Sequence, residues 1–486
     1  MSEEILINVS PPETRVAVIE NGVAQEIIIE RNARRGLVGN IYKGQICRVL
    51  PGMQAAFVEI GLDRAAFLHA SDISYKTKTV NGQTVNITDL VREGGEIVVQ
   101  VVKDPLGTKG ARLTTNLSIP SRYLVFMPSL RSAGVSQKID NQEERTRLRK
   151  VLDAFIEESG CQGGFIARTA AEGVSESTLQ SDMQFLFRLW RDIEERLLRT
   201  PPRNLIYEDP PLLLRALRDL VTPLVEKIRI DSLPSCEKIQ QFAAKVIPHQ
   251  EIEIEYYAGA RPLFDLYNVE DEIEKALQRK VELKSGGHLV IDQTEAMTTI
   301  DVNTGAFVGH RNLEETIYKT NMEAAQAIGR QLRLRNLGGI IIIDFIDMND
   351  DEHKRQVIRA LEKCLSRDHA KTQITEVSAL GLVEMTRKRT RESLEHVLCE
   401  TCHCCNGRGS QKTTETTCYE IFREILREAR QFDVESLLVL ASQAVIDRLL
   451  DEESANLAEL EASLGKVIRL QAEQLYTQEQ YDIVLI

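Results

Sequence analysis

The sequence predicts a multidomain α+β protein. The chain has 486 residues, which is long enough for three or more domains. Short β patterns with frequent turn signals dominate residues 4–117, and helical and strand patterns alternate after that. A run of isoleucines at 340–343 predicts a buried strand in the middle of the chain.

The composition is that of an ordinary globular protein, with 43% hydrophobic and 27% charged residues. No apolar run approaches the roughly 20 residues of a membrane span, and the N-terminus lacks a basic and then apolar signal. We therefore expect a cytoplasmic protein with no membrane partner. The net charge of −13 argues against nucleic-acid binding, but basic residues are dense around 103–112, 330–335 and 387–391. Charge alone does not decide the function.

The first β-rich region, 36–118, has about five strands at the spacing of a small OB-type barrel. Phe57 and Phe67 lie in two of these strands. Aromatic side chains on the outer face of such a barrel stack single-stranded bases, whereas those on the inner face fill the core. The pattern alone favours the core. Beyond the barrel, a strand near 123–127 and helices at 142–159 and up to about residue 199 are predicted.

Two acidic clusters, Asp301-Val302-Asn303 and Asp344-Phe345-Ile346-Asp347, come where apolar strands end. Strand alternation puts Asp301 and Asn303 on one face of the first strand. Rigid carboxylates at two strand ends suit Mg²⁺, which binds through one or two carboxylates and keeps waters for a phosphate substrate. Asp301 and Asp344 are therefore candidate metal ligands.

The alternative for each acidic cluster is a turn or a helix cap. An aspartate at a strand end often begins a turn or caps the next helix. We expect Asp347, Asn349 or Asp350 to cap a helix that begins near Asp351.

Four cysteines crowd into residues 399–405, which indicates metal binding rather than disulfides. Cys402-x-x-Cys405 forms half of a tetrahedral zinc site, with Cys399 as a further candidate ligand. The simplest way to complete the zinc site is with the same residues of a second copy of the chain, related by two-fold symmetry. Free surface thiols or a redox pair is the alternative. The remaining cysteines are scattered and are predicted to be small core residues: Cys47, Cys161, Cys236, Cys364 and Cys418.

Taken together, these segments resemble the ribonuclease E / ribonuclease G family over essentially the whole chain. No polar tail follows the last predicted strand, so we expect the ribonuclease G branch rather than the branch with a long disordered extension. The resemblance rests on an ordered set of motifs: residues 44–67, Lys109-Gly110-Ala111-Arg112-Leu113-Thr114-Thr115, residues 163–170, Asp301-Val302-Asn303-Thr304-Gly305, Ile343-Asp344-Phe345-Ile346-Asp347-Met348, Glu384-Met385-Thr386-Arg387, and Cys402 with Cys405.

The resemblance implies a Mg²⁺-dependent endoribonuclease that cuts single-stranded A/U-rich RNA and prefers a 5′-monophosphate. It implies roles in rRNA 5′-end maturation, tRNA processing and mRNA turnover, with rRNA precursors and mRNA as partners. It also implies a homodimer through a shared zinc link, with higher oligomers left open. The implied residue roles are these: Asp301 and Asp344 bind Mg²⁺; Asn303 positions the phosphate or the water; Phe57, Phe67 and Lys109 bind RNA; Arg168, Thr169, Val125 and Lys371 bind the 5′ end; Cys402 and Cys405 bind Zn²⁺.

The implied architecture is a split RNase-H-like domain (1–35 and 205–278) with an inserted OB-type barrel (36–118) and 5′-sensor (119–204). A deoxyribonuclease-I-like catalytic domain (279–398), a zinc link (399–412) and a small α/β C-terminal dimerisation domain (413–486) follow.

Two departures affect the sensor. Gln137 beside Lys138, and Lys371, stand where the best-known family member has arginines, so lysine meets phosphate only as a point charge. Two other function classes compete with the nuclease. One is an RNA-binding module without catalysis, which has no need of paired carboxylates beside an anionic ligand. The other is a metal phosphodiesterase that acts on DNA or small nucleotides.

Overall fold

A computed structural model describes residues 3–73, 79–80, 83–84, 86–105, 109–222, 224–246, 252–305, 313–378, 380–389, 391–432 and 435–486. The chain divides into two compact units, Met1–Val397 and Leu398–Ile486. None of the helices in this part of the chain is long and apolar enough to span a membrane.

The first unit contains four larger sheets with helices between their strands. Up to residue 118 the elements are β1 (Glu3–Val9), β2 (Glu13–Glu20), β3 (Val23–Arg31), β4 (Ile41–Leu50), β5 (Ala55–Glu59), β6 (Ala66–His69), β7 (Thr79–Val80), β8 (Gln83–Thr84), α1 (Ile87–Leu90), β9 (Glu96–Lys103) and β10 (Arg112–Thr114). From 119 to 276 they are β11 (Ile119–Pro120), β12 (Leu124–Met127), β13 (Gly134–Val135), α2 (Gln142–Ser159), β14 (Gly164–Ala167), α3 (Glu176–Arg199), β15 (Asn204–Tyr207), α4 (Leu212–Asp219), β16 (Val225–Ile230), α5 (Leu233–Val246), β17 (Glu253–Tyr256), α6 (Leu263–Leu266) and α7 (Val269–Ala276). From 280 they are β18 (Lys280–Glu282), β19 (His288–Gln293), β20 (Met297–Asn303), α8 (Leu313–Leu334), β21 (Gly339–Asp344), α9 (Asp351–Leu365), β22 (Thr372–Val377), β23 (Leu382–Arg387) and α10 (Leu394–Leu398).

The first sheet joins the beginning of the chain to a segment more than two hundred residues later. Its strand order is β17-β16-β1-β2-β3, and β1 runs parallel to β16 with Ile5 opposite Ile228. Ile5, Leu6 and Ile7 are all at most 1% exposed, so both faces of β1 are covered. A continuous apolar run is what such a central strand requires.

The second sheet closes into a barrel. Its order is β15-β4-β5-β6-β10-β9, and β4 pairs again with β9. β15 comes from residues 204–207, so this sheet draws on more of the chain than the predicted barrel range 36–118. Gly61 allows the backbone of Arg203, just before β15, to come close to the barrel. Its φ is +90°, and a Cβ there would lie 2.3 Å from the carbonyl oxygen of Arg203.

The third sheet, β11-β12-β14-β13, packs with α2 and α3. The helix predicted at 142–159 is confirmed as α2. Asn141 caps α2 by accepting hydrogen bonds from the amides of Glu143 and Glu144, and Ser175 caps α3 in the same way. Trp190, the single tryptophan of the chain, lies on α3 with its ring centroid 5.9 Å from that of Phe126.

The fourth sheet has the order β18-β19-β20-β21-β23-β22, with β20 and β21 parallel at its centre. α8 and α9 pack on it through a core that includes Ile300, Ile341 and Ile343. Asp350 caps the N-terminus of α9 by accepting a hydrogen bond from the amide of Glu352. This confirms the prediction that one of the polar residues before Asp351 caps the helix.

The second unit is a small α/β domain. Its three-stranded sheet has the order β25-β24-β26, with the apolar sides of the helices packed against Leu437 and Val439. The elements are α11 (Thr414–Gln431), β24 (Ser436–Ala441), α12 (Gln443–Leu450), α13 (Ser454–Leu464), β25 (Val467–Ala472) and β26 (Tyr481–Leu485).

The prediction that the scattered cysteines are core residues is wrong for Cys47. Cys161, Cys236 and Cys418 are buried and Cys364 is half-buried, but Cys47 is exposed. The register of β4 against β5 shifts between Ile46 and Arg48, so simple alternation does not give the side on which Cys47 lies.

Candidate active site

The two predicted acidic clusters meet at one edge of the fourth sheet. β20 and β21 are parallel neighbours, and their register places Asp301 directly opposite Asp344. Ile300 and Val302 face the core, whereas Asp301 is exposed, as strand alternation predicted. Two strand ends held by a buried sheet therefore present two carboxylates side by side to solvent.

Charge is concentrated at this edge. Burial, and then repulsion by the carboxylates of Asp301 and Asp347, raise the pKa of Asp344. The side-chain amide of Asn303 donates a hydrogen bond of 2.9 Å to Oδ2 of Asp301. The three side chains predicted to be catalytic are thus brought together, with Asn303 orienting one of the two carboxylates.

The segment that follows β21 is held by a buried residue of α8. Asn321 is 0% exposed; its Nδ2 donates to the carbonyl oxygen of Ile346 at 2.7 Å, and its Oδ1 accepts from the amide of Ile346 at 3.1 Å. Sequence reasoning missed this residue. A signal was present, because Asn321 is a polar residue on the apolar side of an amphipathic helix.

The donor set fits a divalent ion. Exposed carboxylates on adjacent strands supply hard oxygen ligands, and their mutual repulsion is relieved by a cation between them. Within the described ranges, no group of three or more His, Cys, Asp and Glu side chains could hold a metal ion. A pair of carboxylates that leaves room for water and phosphate oxygens is the arrangement that Mg²⁺ uses at phosphate sites.

The barrel carries a row of aromatic and basic residues across neighbouring strands. Phe57 lies opposite Phe67, with ring centroids 6.1 Å apart and planes at 70°. Arg48 lies opposite Phe57 on one side, and Arg112 lies opposite Phe67 on the other. Both aromatic residues are half-buried rather than core residues, and Lys109 is exposed. Aromatic faces flanked by cations suit single-stranded nucleic acid.

Arg168 follows β14 and has two anchors. Its Nη1 donates to the carbonyl oxygen of Ser121, and its Nη2 donates to Oδ1 of Asp219 at 2.9 Å. Arg218 donates to the other oxygen of Asp219, also at 2.9 Å. The Arg168 side chain is 30% exposed, so part of the guanidinium faces solvent. Sequence reasoning missed Asp219, because no local pattern links residues 51 positions apart.

The other residues that the resemblance assigns to the 5′ end lie around this arginine or beside the fourth sheet. Val125 on β12 pairs with Ile166 on β14, and Thr169 is exposed in the turn after Arg168. Lys371 is exposed on the loop before β22. Nζ of Lys138 is 3.5 Å from the carbonyl oxygen of Asp368, so the loop after β13 reaches the loop that carries Lys371.

The clustered cysteines form a tight turn in the second unit. Hydrogen bonds from the backbone amides of Cys405 and Cys404 lower the pKa of the Cys402 thiol. Asn406 and Gly407 both have positive φ, at 49° and 81°, which reverses the chain after Cys405. Cys402 is exposed, Cys405 is half-buried, and a thiolate is the form that binds zinc. The turn therefore places a thiol of lowered pKa at the surface, three residues from the half-buried Cys405.

Three family descriptions match successive parts of the chain. The S1 RNA binding domain matches residues 37–115, the Ribonuclease E/G family matches 118–390, and the thioredoxin-like domain of RNase E/G matches 401–486. The predicted OB-type barrel is confirmed by the first match. The fold and the site therefore define a class of mixed α+β proteins that combine an S1 barrel with the two ribonuclease E/G regions.

Relatives match over the full length. The chain is 58% identical to ribonuclease G of Escherichia coli (strain K12) over 492 residues, covering 100% of both chains. It is 54% identical to ribonuclease G of Haemophilus influenzae, covering 99% of both. Ribonuclease E of Escherichia coli is 37% identical over 93% of this chain and 43% of its own length. The chain belongs to the ribonuclease E/G family, and its similarity is greater to these ribonuclease G proteins than to this ribonuclease E.

A buried carboxylate near Arg168 makes the stability of the region around the third sheet depend on pH. Burial raises the pKa of Asp182 to about 6, although the Ser121 hydroxyl and the Tyr123 amide donate to it. The folded pKa exceeds the unfolded value of about 3.9, so the stabilisation is complete below pH 4 and lost as pH rises through 6. The loss amounts to about 3 kcal/mol.

We expect Asp182→Asn to remove this dependence. Unfolding by urea, followed by the fluorescence of Trp190, should show a wild-type stability that falls between pH 4 and 6 and a variant stability that does not. Asp192→Asn, at an exposed position of the same helix, is the control and should behave as wild type. An unchanged pH profile for Asp182→Asn would contradict the assignment.

Proposed function

We propose that this protein cleaves single-stranded RNA internally by Mg²⁺-dependent hydrolysis at Asp301 and Asp344. Family membership and full-length identity make it an endoribonuclease, a hydrolase that acts on RNA. The proposal adds the metal, the residues and a preference for A/U-rich RNA with a 5′-monophosphate. Its single strongest support is the register that places the two carboxylates side by side at a sheet edge.

The chain's own groups account for the parts of this reaction. Asp301 and Asp344 would hold Mg²⁺, and Asn303 would position the scissile phosphate or the attacking water. The bound ion supplies charge stabilisation and a water of lowered pKa. In-line attack breaks the bond from phosphorus to the 3′-oxygen, so the product carries a 5′-phosphate. Cytoplasmic rRNA precursors, tRNA precursors and mRNA are the substrates that the family implies.

RNA would reach this edge along the aromatic and basic row of the barrel. Phe57 and Phe67 would offer faces for base stacking, while Arg48, Lys109 and Arg112, which is also paired with Asp72, would contact phosphates. The 5′-monophosphate would bind beside the exposed part of Arg168 and the Thr169 hydroxyl, where a charge-assisted hydrogen bond is available. Val125 would support the terminal base, and Lys371 would add a positive charge from the catalytic domain.

The first test removes a ligand charge. Asp301→Asn or Asp344→Asn should lower the rate of RNA cleavage by roughly three orders of magnitude, because several kcal/mol of charge stabilisation are lost. Folding and RNA affinity should change little, since both side chains lie outside the core. Labelled RNA and DNA oligomers, with and without EDTA, give the readout. Asp271→Asn, an exposed aspartate on α7, is the matched control. Near wild-type cleavage by either variant with Mg²⁺ present rejects the assignment.

The second test compares 5′-monophosphorylated with 5′-hydroxyl RNA. Arg168→Ala should slow cleavage of the former about tenfold or more and leave the latter nearly unchanged, because a charged hydrogen bond contributes about 1.5–3 kcal/mol. Asp219→Asn should weaken the same preference to a smaller degree, because Asp219 orients the guanidinium.

Arg188→Ala, an exposed arginine on α3, is the control for the sensor. Equal slowing of both RNAs by Arg168→Ala would make that residue structural and not a sensor of the 5′ end.

The third test measures zinc and assembly together. We expect one zinc per two chains, because Cys402 and Cys405 give one chain half of a tetrahedral site. Cys402→Ser combined with Cys405→Ser should lose the metal and shift the protein toward monomer in analytical ultracentrifugation, whereas Cys47→Ser should not. One zinc per chain would instead assign Cys399 or Cys404 as ligands within a single chain. A wild-type dimer of unchanged stability without metal would also contradict the shared link.

A further inference from the structure

A cleft opens beside the catalytic carboxylates that no residue role described so far uses. It lies between the segment after β21 and the turn that joins β22 to β23, and its volume is about 310 Å³. Its apolar lining includes Met348, Val377 and Leu380, and its polar lining includes Asp347 and Ser378.

The register fixes the cleft next to the reacting groups. Asp344 lies directly opposite Leu382 in the antiparallel pair of β21 and β23. The amide of Leu382 donates to Oγ of Ser378 at 3.2 Å, and the amide of Ser378 donates to the carbonyl oxygen of Leu382 at 2.8 Å. The turn that forms this wall of the cleft therefore ends next to Leu382, the residue paired with Asp344.

The apolar side of the cleft includes a leucine side chain that is not packed against the core. Leu380 is 83% exposed although it stands beside a site for a polyanion. Gly381 follows with φ +83°, and a Cβ there would be 3.3 Å from Oδ1 of Asp347. A side chain at Gly381 would crowd the carboxylate, so glycine keeps the space between Leu380 and Asp347 open. A flat ligand with one apolar face and one polar edge fits this combination.

Charge restricts what can enter. Asp347 only accepts hydrogen bonds, so a free phosphate is repelled and an amino group is favoured. Lys354 lies at the rim, where its Nζ is 3.0 Å from Oδ1 of Asp351 and close enough to the cleft to meet a neighbouring phosphate. A nucleobase attached to a sugar-phosphate chain satisfies all of these features together.

We propose that this cleft binds the nucleobase of a nucleotide next to the cleaved phosphodiester. Leu380 and Met348 contact the face of the base, and Asp347 with Ser378 contacts its edge. Bases that present an amino group there, adenine above all in A/U-rich RNA, are favoured over uracil. This inference rests on the proposed function, because it takes Asp301 and Asp344 as the position of the scissile phosphate.

The test uses a short 5′-hydroxyl RNA with a single cleavage site, so that the 5′ sensor plays no part. An abasic ribose replaces the nucleotide on one side of the cleaved bond and then on the other. Wild type should lose about tenfold in kcat/KM at one of the two positions, because the stacking contribution of one base is lost. Purine riboside in place of adenosine at that position should give a smaller loss, because only the amino group is missing.

Leu380→Ala should lose about tenfold on the intact RNA and nothing further on the abasic RNA. Because the Leu380 side chain is largely exposed, its replacement should not impair folding. The control is Leu198→Ala, at a leucine on α3 that is 86% exposed, which should match wild type on both RNAs. Affinity gives a readout without catalysis. In an Asp301→Asn background, Leu380→Ala should weaken binding of the intact RNA but not of the abasic RNA.

Equal effects of Leu380→Ala on both RNAs, or no effect on either, would overturn the base site. The failure of the proposed function is a separate result, namely cleavage that persists in Asp301→Asn. If Asp301→Asn is inactive and Leu380→Ala cleaves both RNAs like wild type, the proposed active site stands and the base-binding role of the cleft is rejected.

Discussion

The parallel register of β20 and β21 is the constraint on which the rest of the fourth sheet and its edge depend. A shift of one residue would turn Asp301 toward the core and break the pair with Asp344. Buried isoleucines on both strands hold that register, and α8 covers them. Two like charges at adjacent strand ends repel each other, and the rigid sheet keeps them in place. A cation bound between the two carboxylates, as proposed above, would supply the compensating positive charge without any rearrangement of the strands.

Positive charge is placed locally, which explains how a protein of net charge −13 can handle RNA. Charges in water are screened beyond about 8 Å at physiological ionic strength. A phosphate chain on the barrel would therefore interact mainly with Arg48, and with Arg112 to the extent that its ion pair with Asp72 allows, and would be little affected by distant acidic side chains. Arg168 would act in the same way at the proposed 5′-end site, although Asp219 neutralises part of its charge. Net charge is a poor guide when binding surfaces are this small.

Local patterns were enough to predict α2, the alternation around Asp301 and the capping aspartate before α9, because each depends on neighbours in sequence. They could not predict that residues 225–256 complete the sheet of residues 3–31, since register between distant strands leaves no periodic signal. The same reason hid the Arg168–Asp219 pair. Local patterns also could not predict the half-buried positions of Phe57 and Phe67, because an apolar strand residue gives the same pattern whether it faces the core or solvent.

The first sheet has a consequence for the newly made chain. Glu3 pairs with Val225, so β1 has no parallel partner until more than two hundred further residues have been synthesised. At about 5–20 residues per second, that wait lasts roughly ten to forty seconds. During it, β1 is an open sheet edge that carries Ile5, Leu6 and Ile7, the kind of surface on which nascent chains aggregate. The barrel strands β4 to β10 are all synthesised by residue 114, so the β4–β9 closure can form before the first sheet is complete.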